Sequence, residues 1–64
     1  SKMYPVRRIH GVLLHKVENG AKIDYEESLE KIFFVNEANE PIALYRKKGD
    51  QFVCDKMLKK ERAV

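Results

Sequence analysis

The side chains in this sequence that could bind a ligand through charge are lysines and arginines, and they are grouped along the chain. The 64 residues include thirteen Lys and Arg against ten Asp and Glu, a formal charge of +3. Because most acidic residues fall in other segments, one folded body would have basic and acidic ends. That surface suits a polyanionic partner, and an ordinary solvated surface is the alternative interpretation. The basic candidates are Lys22, Arg46, Lys47 and Lys48, followed by Arg7, Arg8, Lys56 and Lys59.

Residues that could support catalysis or bind a metal are few. His10 and His15 are not separated by one helical turn, the spacing of paired zinc ligands on one helix face. The lone Cys54 could be a nucleophile beside a base in an electropositive pocket, but an inert core thiol is the favoured alternative. Asp50 fits turn chemistry. The sequence therefore predicts no metal, no cofactor and no catalytic activity for this chain alone.

The aromatic residue Tyr45 has two possible roles. It could stack on an exposed base of a nucleic acid, or it could be a core residue that covers the helix. The adjacent Phe33 and Phe34 are expected in the core, because a stacking platform there would leave so small a domain without a centre. Tyr45 is therefore kept as a candidate binding residue with both roles open.

Length and composition indicate one domain, residues 1–64, with a thin core. The single cysteine cannot form an intrachain disulfide, which is typical of a reducing cytosol, so we expect a cytoplasmic location. No apolar run reaches the length of a membrane span, and the start of the sequence shows no signal segment. We therefore expect no membrane partner.

The first periodic segment predicts a helix over residues 10–18. Its apolar positions recur at helical spacing, and they are Ile9, Val12, Leu13 and Val17. Gly11 weakens such a helix by about 1 kcal/mol relative to Ala, and it could allow another backbone to come close. Asn19-Gly20 predicts the end of the helix, since glycine readily adopts the positive φ of a C-terminal cap.

Short apolar segments after the helix predict strands over residues 21–25, 32–35, 41–45 and 51–54, with Met57 and Leu58 in a further short strand. Residues 32–35 are apolar throughout, which indicates a strand covered on both faces, one by a barrel interior and the other by the helix. Residues 47–50 are expected to form a tight turn around Gly49. The sequence thus predicts a mainly-β α+β fold with one helix, whose sheet edges are best protected by closure into a partly open barrel.

Two stretches of the sequence, taken in order, are similar to a known family. The first runs from His15 through Asn19-Gly20 to Ile23. The second contains Phe33-Phe34-Val35-Asn36, Pro41-Ile42-Ala43-Leu44-Tyr45 and Lys56-Met57-Leu58. Together they resemble the C-terminal domain of bacterial tRNA pseudouridine-55 synthase of the TruB type, over residues 12–58. The resemblance implies a small PUA-like pseudo-barrel that docks on structured RNA.

The resemblance also implies a partner and a role. In that family the module helps to hold the acceptor stem and T-arm of tRNA while a preceding catalytic domain converts uridine to pseudouridine. The motif with the catalytic aspartate has no counterpart here, so the parent protein would be the isomerase. A monomer is expected. This sequence lacks the family's proline near its end, and Asp55 places a negative charge near the expected RNA side.

A protein-interaction module is the alternative from a different functional class. In that hypothesis an apolar outer patch of the small barrel packs on its own catalytic domain or on another protein. Salt distinguishes the two hypotheses, because phosphate contacts weaken steeply with ionic strength and apolar contacts do not.

Overall fold

A computed structural model describes residues 4–58 of the chain. The elements in chain order are β1 (Val6–Arg8), α1 (Gly11–Glu18), β2 (Lys31–Val35), β3 (Pro41–Lys48) and β4 (Gln51–Met57). The four strands form one mixed sheet in the order β1-β2-β3-β4, in which β1 runs parallel to β2 and the other pairs are antiparallel. The predicted mainly-β α+β fold with one helix is confirmed.

The helix ends as its sequence predicts. Gly20 has a φ of +71°, and its N–H donates to the carbonyl of Val17 at 3.0 Å. The next N–H, of Ala21, donates to the carbonyl of Lys16 at 3.0 Å. This pair of bonds is a Schellman cap, which pairs carbonyl groups that the helix itself leaves unpaired.

At the helix start, two predictions were wrong: the close approach of another backbone at Gly11 and the burial of Val12. Gly11 has a φ of +64°, and a Cβ placed there would have no atom within 4 Å, so the glycine serves backbone geometry rather than close packing. Val12 is 73 % exposed, whereas Leu13 and Leu14 pack against the core. Ile9 lies before the helix, and the buried side of α1 is formed by Leu13, Leu14 and Val17, so Val12 falls on the solvent side.

Residues 21–25 do not form the predicted strand. They make one isolated bridge, in which Ile23 and Phe52 exchange two backbone hydrogen bonds of 2.9 Å. The expected direction of the side chains is nevertheless right, because Ile23 is 2 % exposed and Tyr25 packs against the core. The segment therefore extends the β4 edge at one residue pair.

The last strand is longer than predicted. β4 continues through Met57 without a break into a separate short strand. A register shift makes this possible: Leu44 pairs with Lys56 and Tyr45 with Cys54, so Asp55 has no partner across the ladder. Such a bulge adds one residue and increases the local twist.

The hydrophobic core lies on one face of the sheet, which we call the inner face. Ile32, Phe34, Tyr45 and Phe52 point to this face and are at most 1 % exposed, and they pack with Val17 of α1. The rings of Phe34 and Tyr45 meet edge to face at 5.3 Å between centroids. The helix thus covers the same face of β2 that carries the core, and the expected arrangement, with the helix on the other face of β2, is wrong.

Tyr45 is a core residue rather than a base-stacking one. Its side chain has no exposed surface, and its hydroxyl donates to the carbonyl of Ala21 at 2.6 Å. Burial raises the pKa of this phenol to about 12, and the nearby Cys54 thiol adds to the effect. Because a ring without exposed surface cannot stack on a nucleic-acid base, Tyr45 is removed from the candidate binding residues.

We predict that Tyr45→Phe lowers the free energy of unfolding by about 1 kcal/mol, because the variant removes the part-buried hydrogen bond from the Tyr45 hydroxyl to the Ala21 carbonyl. Urea unfolding at neutral pH measures the change. Tyr4→Phe is the matched control: Tyr4 is 42 % exposed, and we expect a change within about 0.5 kcal/mol.

A pH series tests the same contact independently. The folded-state pKa of Tyr45 lies above the usual phenol pKa of about 10. Its contribution to stability should therefore be complete below pH 10 and decline as the pH rises towards 12. Tyr45→Phe should lack this decline. Equal alkaline slopes in both proteins would contradict the buried hydrogen bond.

Candidate nucleic-acid interface

Neighbouring residues 46, 47 and 48, expected to form one basic turn, separate in space. All three lie in β3, and the turn itself contains Gly49 and Asp50. Because side chains alternate along a strand, Arg46 lies on the face opposite to the core, whereas Lys47 pairs with Phe52 on the inner side. The cations are therefore adjacent in sequence but do not form one patch.

Lys47 is exposed but fixed in position. Its Nζ donates to the backbone carbonyl of Glu27 at 2.9 Å and lies 5.9 Å from the ring centroid of Phe52. Neither contact involves a carboxylate, and within residues 4–58 no ion pair compensates the positive charge. Lys48 is exposed at the hairpin end, and its side chain makes no ion pair or hydrogen bond with the residues that the structure describes.

A cleft beside Lys47 is lined by more acidic than basic side chains. It encloses about 420 Å³ and is lined by Tyr25, Glu26, Glu27, Ser28, Lys47 and Asp50. Its three carboxylates outnumber the one ammonium group, so a phosphate is disfavoured within the cleft itself. The hairpin therefore offers Lys48, rather than the whole predicted turn, as its accessible cation.

The two arginines of β1 also point to opposite faces. Arg7 is half-buried, and its Nε donates to the Glu27 carboxylate at 3.2 Å. This ion pair compensates its charge and ties β1 to the loop before β2. Arg8 is exposed, and no carboxylate within residues 4–58 forms an ion pair with it. Of the two, Arg8 is the better candidate for an external anion.

The remaining predicted cations are distributed over the surface. Lys22 is exposed one residue before the Ile23 bridge. Lys56 is exposed and pairs with Leu44, opposite to the core. Lys59 lies outside the residues that the structure describes.

The sheet face opposite to the core, which we call the outer face, combines aromatic, aliphatic and charged side chains. Strand register, ring contacts and ion pairs assign residues to this face. The apolar ones are Tyr4, Val6, Phe33, Leu44 and Val53. The charged ones are Lys31, Arg46, Asp55 and Lys56. Val6 is 54 % exposed, and no helix of residues 4–58 packs on this face. It is therefore a broad accessible surface.

One carboxylate organises two cations of the outer face. The Asp55 oxygens lie 3.4 Å from Lys31 Nζ and 3.7 Å from Arg46 Nε. All three side chains are about one-third to one-half exposed, and such solvated ion pairs contribute little stability. A stronger anion could therefore replace the Asp55 carboxylate beside these cations.

Two residues of this surface, Lys31 and Tyr4, were not among the sequence candidates. Lys31 was not a candidate because it begins an apolar strand. It lies two residues before Phe33, however, and residues two apart in a strand point to the same face. Tyr4 reaches the same face through its ring contact with Phe33, at 5.7 Å between centroids. That contact depends on the pairing of β1 with β2, which the local sequence does not indicate.

The Cys54 thiol has the properties of an inert side chain. It packs against the core and is partly buried. Burial raises the pKa of the thiol, the Asp55 carboxylate raises it further, and a backbone hydrogen bond from Lys56 acts in the opposite direction. A raised pKa reduces the thiolate, the reactive form.

Within residues 4–58 no group of three or more His, Cys, Asp and Glu side chains is arranged to hold a metal ion. The same residues include no helix with the length and apolar character to cross a membrane. Comparison with protein-family models found no match, and comparisons with curated proteins and with solved structures found no significant similarity. The PUA-like type and the RNA role therefore stay predictions.

We predict that Asp55→Asn lowers the pKa of the Cys54 thiol, because the variant removes a negative charge that disfavours the thiolate. Alkylation by iodoacetamide, followed between pH 7 and pH 10, should be faster than in the unmodified protein at each pH below the plateau. Glu37→Gln removes the same charge from the turn between β2 and β3, and it should leave the alkylation profile unchanged. Identical profiles for all three proteins would contradict the electrostatic contact.

Proposed function

We propose that this chain is an RNA-binding module and serves as the C-terminal domain of a tRNA pseudouridine synthase. Support comes from the ordered sequence segments that resemble the TruB-type domain and from the confirmed mainly-β fold with one helix. The main structural observation is a set of exposed cations on the hairpin end and the outer face. Those without a carboxylate partner among the described residues include Lys48 and Lys56.

The mechanism that we propose is electrostatic docking of a folded RNA. Duplex RNA is recognised largely by its shape and through its phosphates and 2′-hydroxyl groups, so separated cations on a rigid sheet suffice. The acceptor stem and T-arm of tRNA are the proposed ligand, and the catalytic domain of a parent chain would carry out the isomerisation in the cytoplasm. This chain itself would contribute position and affinity, and no chemical step.

We predict that the protein binds a tRNA minihelix with an affinity that falls steeply with salt. Each phosphate contact contributes roughly 0.7 to 0.9 to the log–log slope. Lys56→Gln and Lys48→Gln should each reduce the slope by about that amount. The measurement is fluorescence anisotropy with a labelled minihelix from low to physiological salt.

Lys16→Gln is the matched control, because it removes the same charge from an exposed position on α1. Its slope should equal that of the unmodified protein. Equal slopes for all the variants would show that the docking surface lies elsewhere. Absence of salt-dependent binding to the minihelix would contradict the RNA function itself.

A second candidate function is a protein-docking module, favoured by the apolar part of the outer face. Tyr4 and Val6 are 42 % and 54 % exposed, and they adjoin the half-buried Phe33. These side chains could pack on the catalytic domain of the parent chain. In that case association should change little with salt and should weaken in Val6→Asp, whereas the minihelix should not bind.

A further inference from the structure

A notch lies at the edge of the outer face, beside the exposed ring of Tyr4. It has a volume of about 290 Å³, opens to solvent, and is lined by Tyr4, Pro5, Leu29, Glu30 and Lys31. We propose that this notch binds an unpaired nucleobase of an RNA strand whose phosphates lie on the outer face. The proposal rests on the proposed RNA-binding function and adds to it a specific base-binding site.

The Tyr4 ring is exposed and held in place before any ligand binds. One side of it packs on Phe33 with the ring planes inclined by 51°. The ammonium group of Lys31 lies 5.8 Å from its centroid, a cation–π contact. Because the ring is already oriented, a base that stacks on it loses little affinity to ordering of the protein.

The other lining surface of the notch is largely apolar, which suits the faces of a base. Leu29, which is 36 % exposed, and Pro5 provide apolar contact for the faces and edges of a heterocycle. Glu30 offers an exposed carboxylate that can accept from the N–H groups of a base. The backbone here is fixed, since the Glu30 carbonyl accepts from the N–H of Lys47 at 2.7 Å.

Cations continue from the notch across the outer face. Lys31 borders both the notch and the Asp55 ion pair, and Arg46, its partner across β2 and β3, contacts the other Asp55 oxygen. A phosphate that follows the bound base could contact Lys31 and Arg46 in place of the Asp55 carboxylate. A base with its phosphate could therefore contact the notch and these cations together, whereas an aliphatic protein side chain would contact the notch alone.

Two oligonucleotides distinguish the contribution of base stacking to the affinity from that of the phosphate charges. The probes are a labelled single-stranded RNA octamer and an octamer of equal length with abasic sites at its central positions, which keeps every phosphate. We expect the unmodified protein to bind the base-bearing strand about fivefold or more tightly. Tyr4→Ala should abolish this preference, and Tyr4→Phe should retain it because the ring is preserved.

Val12→Ala is the matched control, since Val12 is exposed on α1 and neither lies on the outer face nor lines the notch. Its base preference should equal that of the unmodified protein. If RNA binds with the expected salt dependence but Tyr4→Ala keeps the preference, the notch proposal is wrong and the RNA function stands. If neither the octamers nor the minihelix bind, the RNA function fails as well.

Chemical-shift mapping identifies the occupant directly. Amide resonances of Leu29, Glu30 and Lys31 should shift with the base-bearing octamer and respond less to the abasic one. A response of these amides to an aliphatic peptide, together with no response to either octamer, would overturn the proposal in favour of a protein ligand.

Discussion

The contact on which this fold depends is the packing of Tyr45 at the centre of the sheet. Its ring meets Phe34 edge to face, and its hydroxyl bonds to the carbonyl of Ala21, just after the helix. A chain of 64 residues has few large side chains to bury. One ring that joins the sheet to the segment after α1 therefore determines where the helix and the following loop lie.

Packing on one face of the sheet explains the distribution of charge. The helix and the segment around Ile23 cover the inner face. Charged strand residues that alternate with the core residues therefore point to the outer face. There Asp55, at the bulge of β4, contacts both Lys31 and Arg46. On the inner side, Glu27 contacts Arg7 through its carboxylate and Lys47 through its backbone carbonyl. Cations that are grouped in sequence are thus divided between two environments.

The sequence predicted the features that depend on local rules. The Asn19-Gly20 helix end follows from the backbone freedom of glycine, and the start of β3 at Pro41 follows from the missing N–H of proline. The predictions were wrong where contacts between distant segments of the chain determine the structure. Residues 21–25 alternate like a strand but meet β4 at one residue pair, and Val12 belongs to an apolar stripe yet faces solvent. The candidate surface was similarly missed at Tyr4, whose position depends on the parallel pairing of β1 with β2.

By itself, the sequence determined the class of fold, the position of the one helix and the turn at Gly49. These follow from side-chain periodicity, from backbone preferences and from the number of residues available for a core. The tertiary structure alone decided which sheet face is covered, which cations are paired with carboxylates, and that Tyr45 is internal. Those outcomes depend on strand register, and a register shift such as that at Asp55 changes the face and the neighbours of a side chain without any change in local sequence pattern.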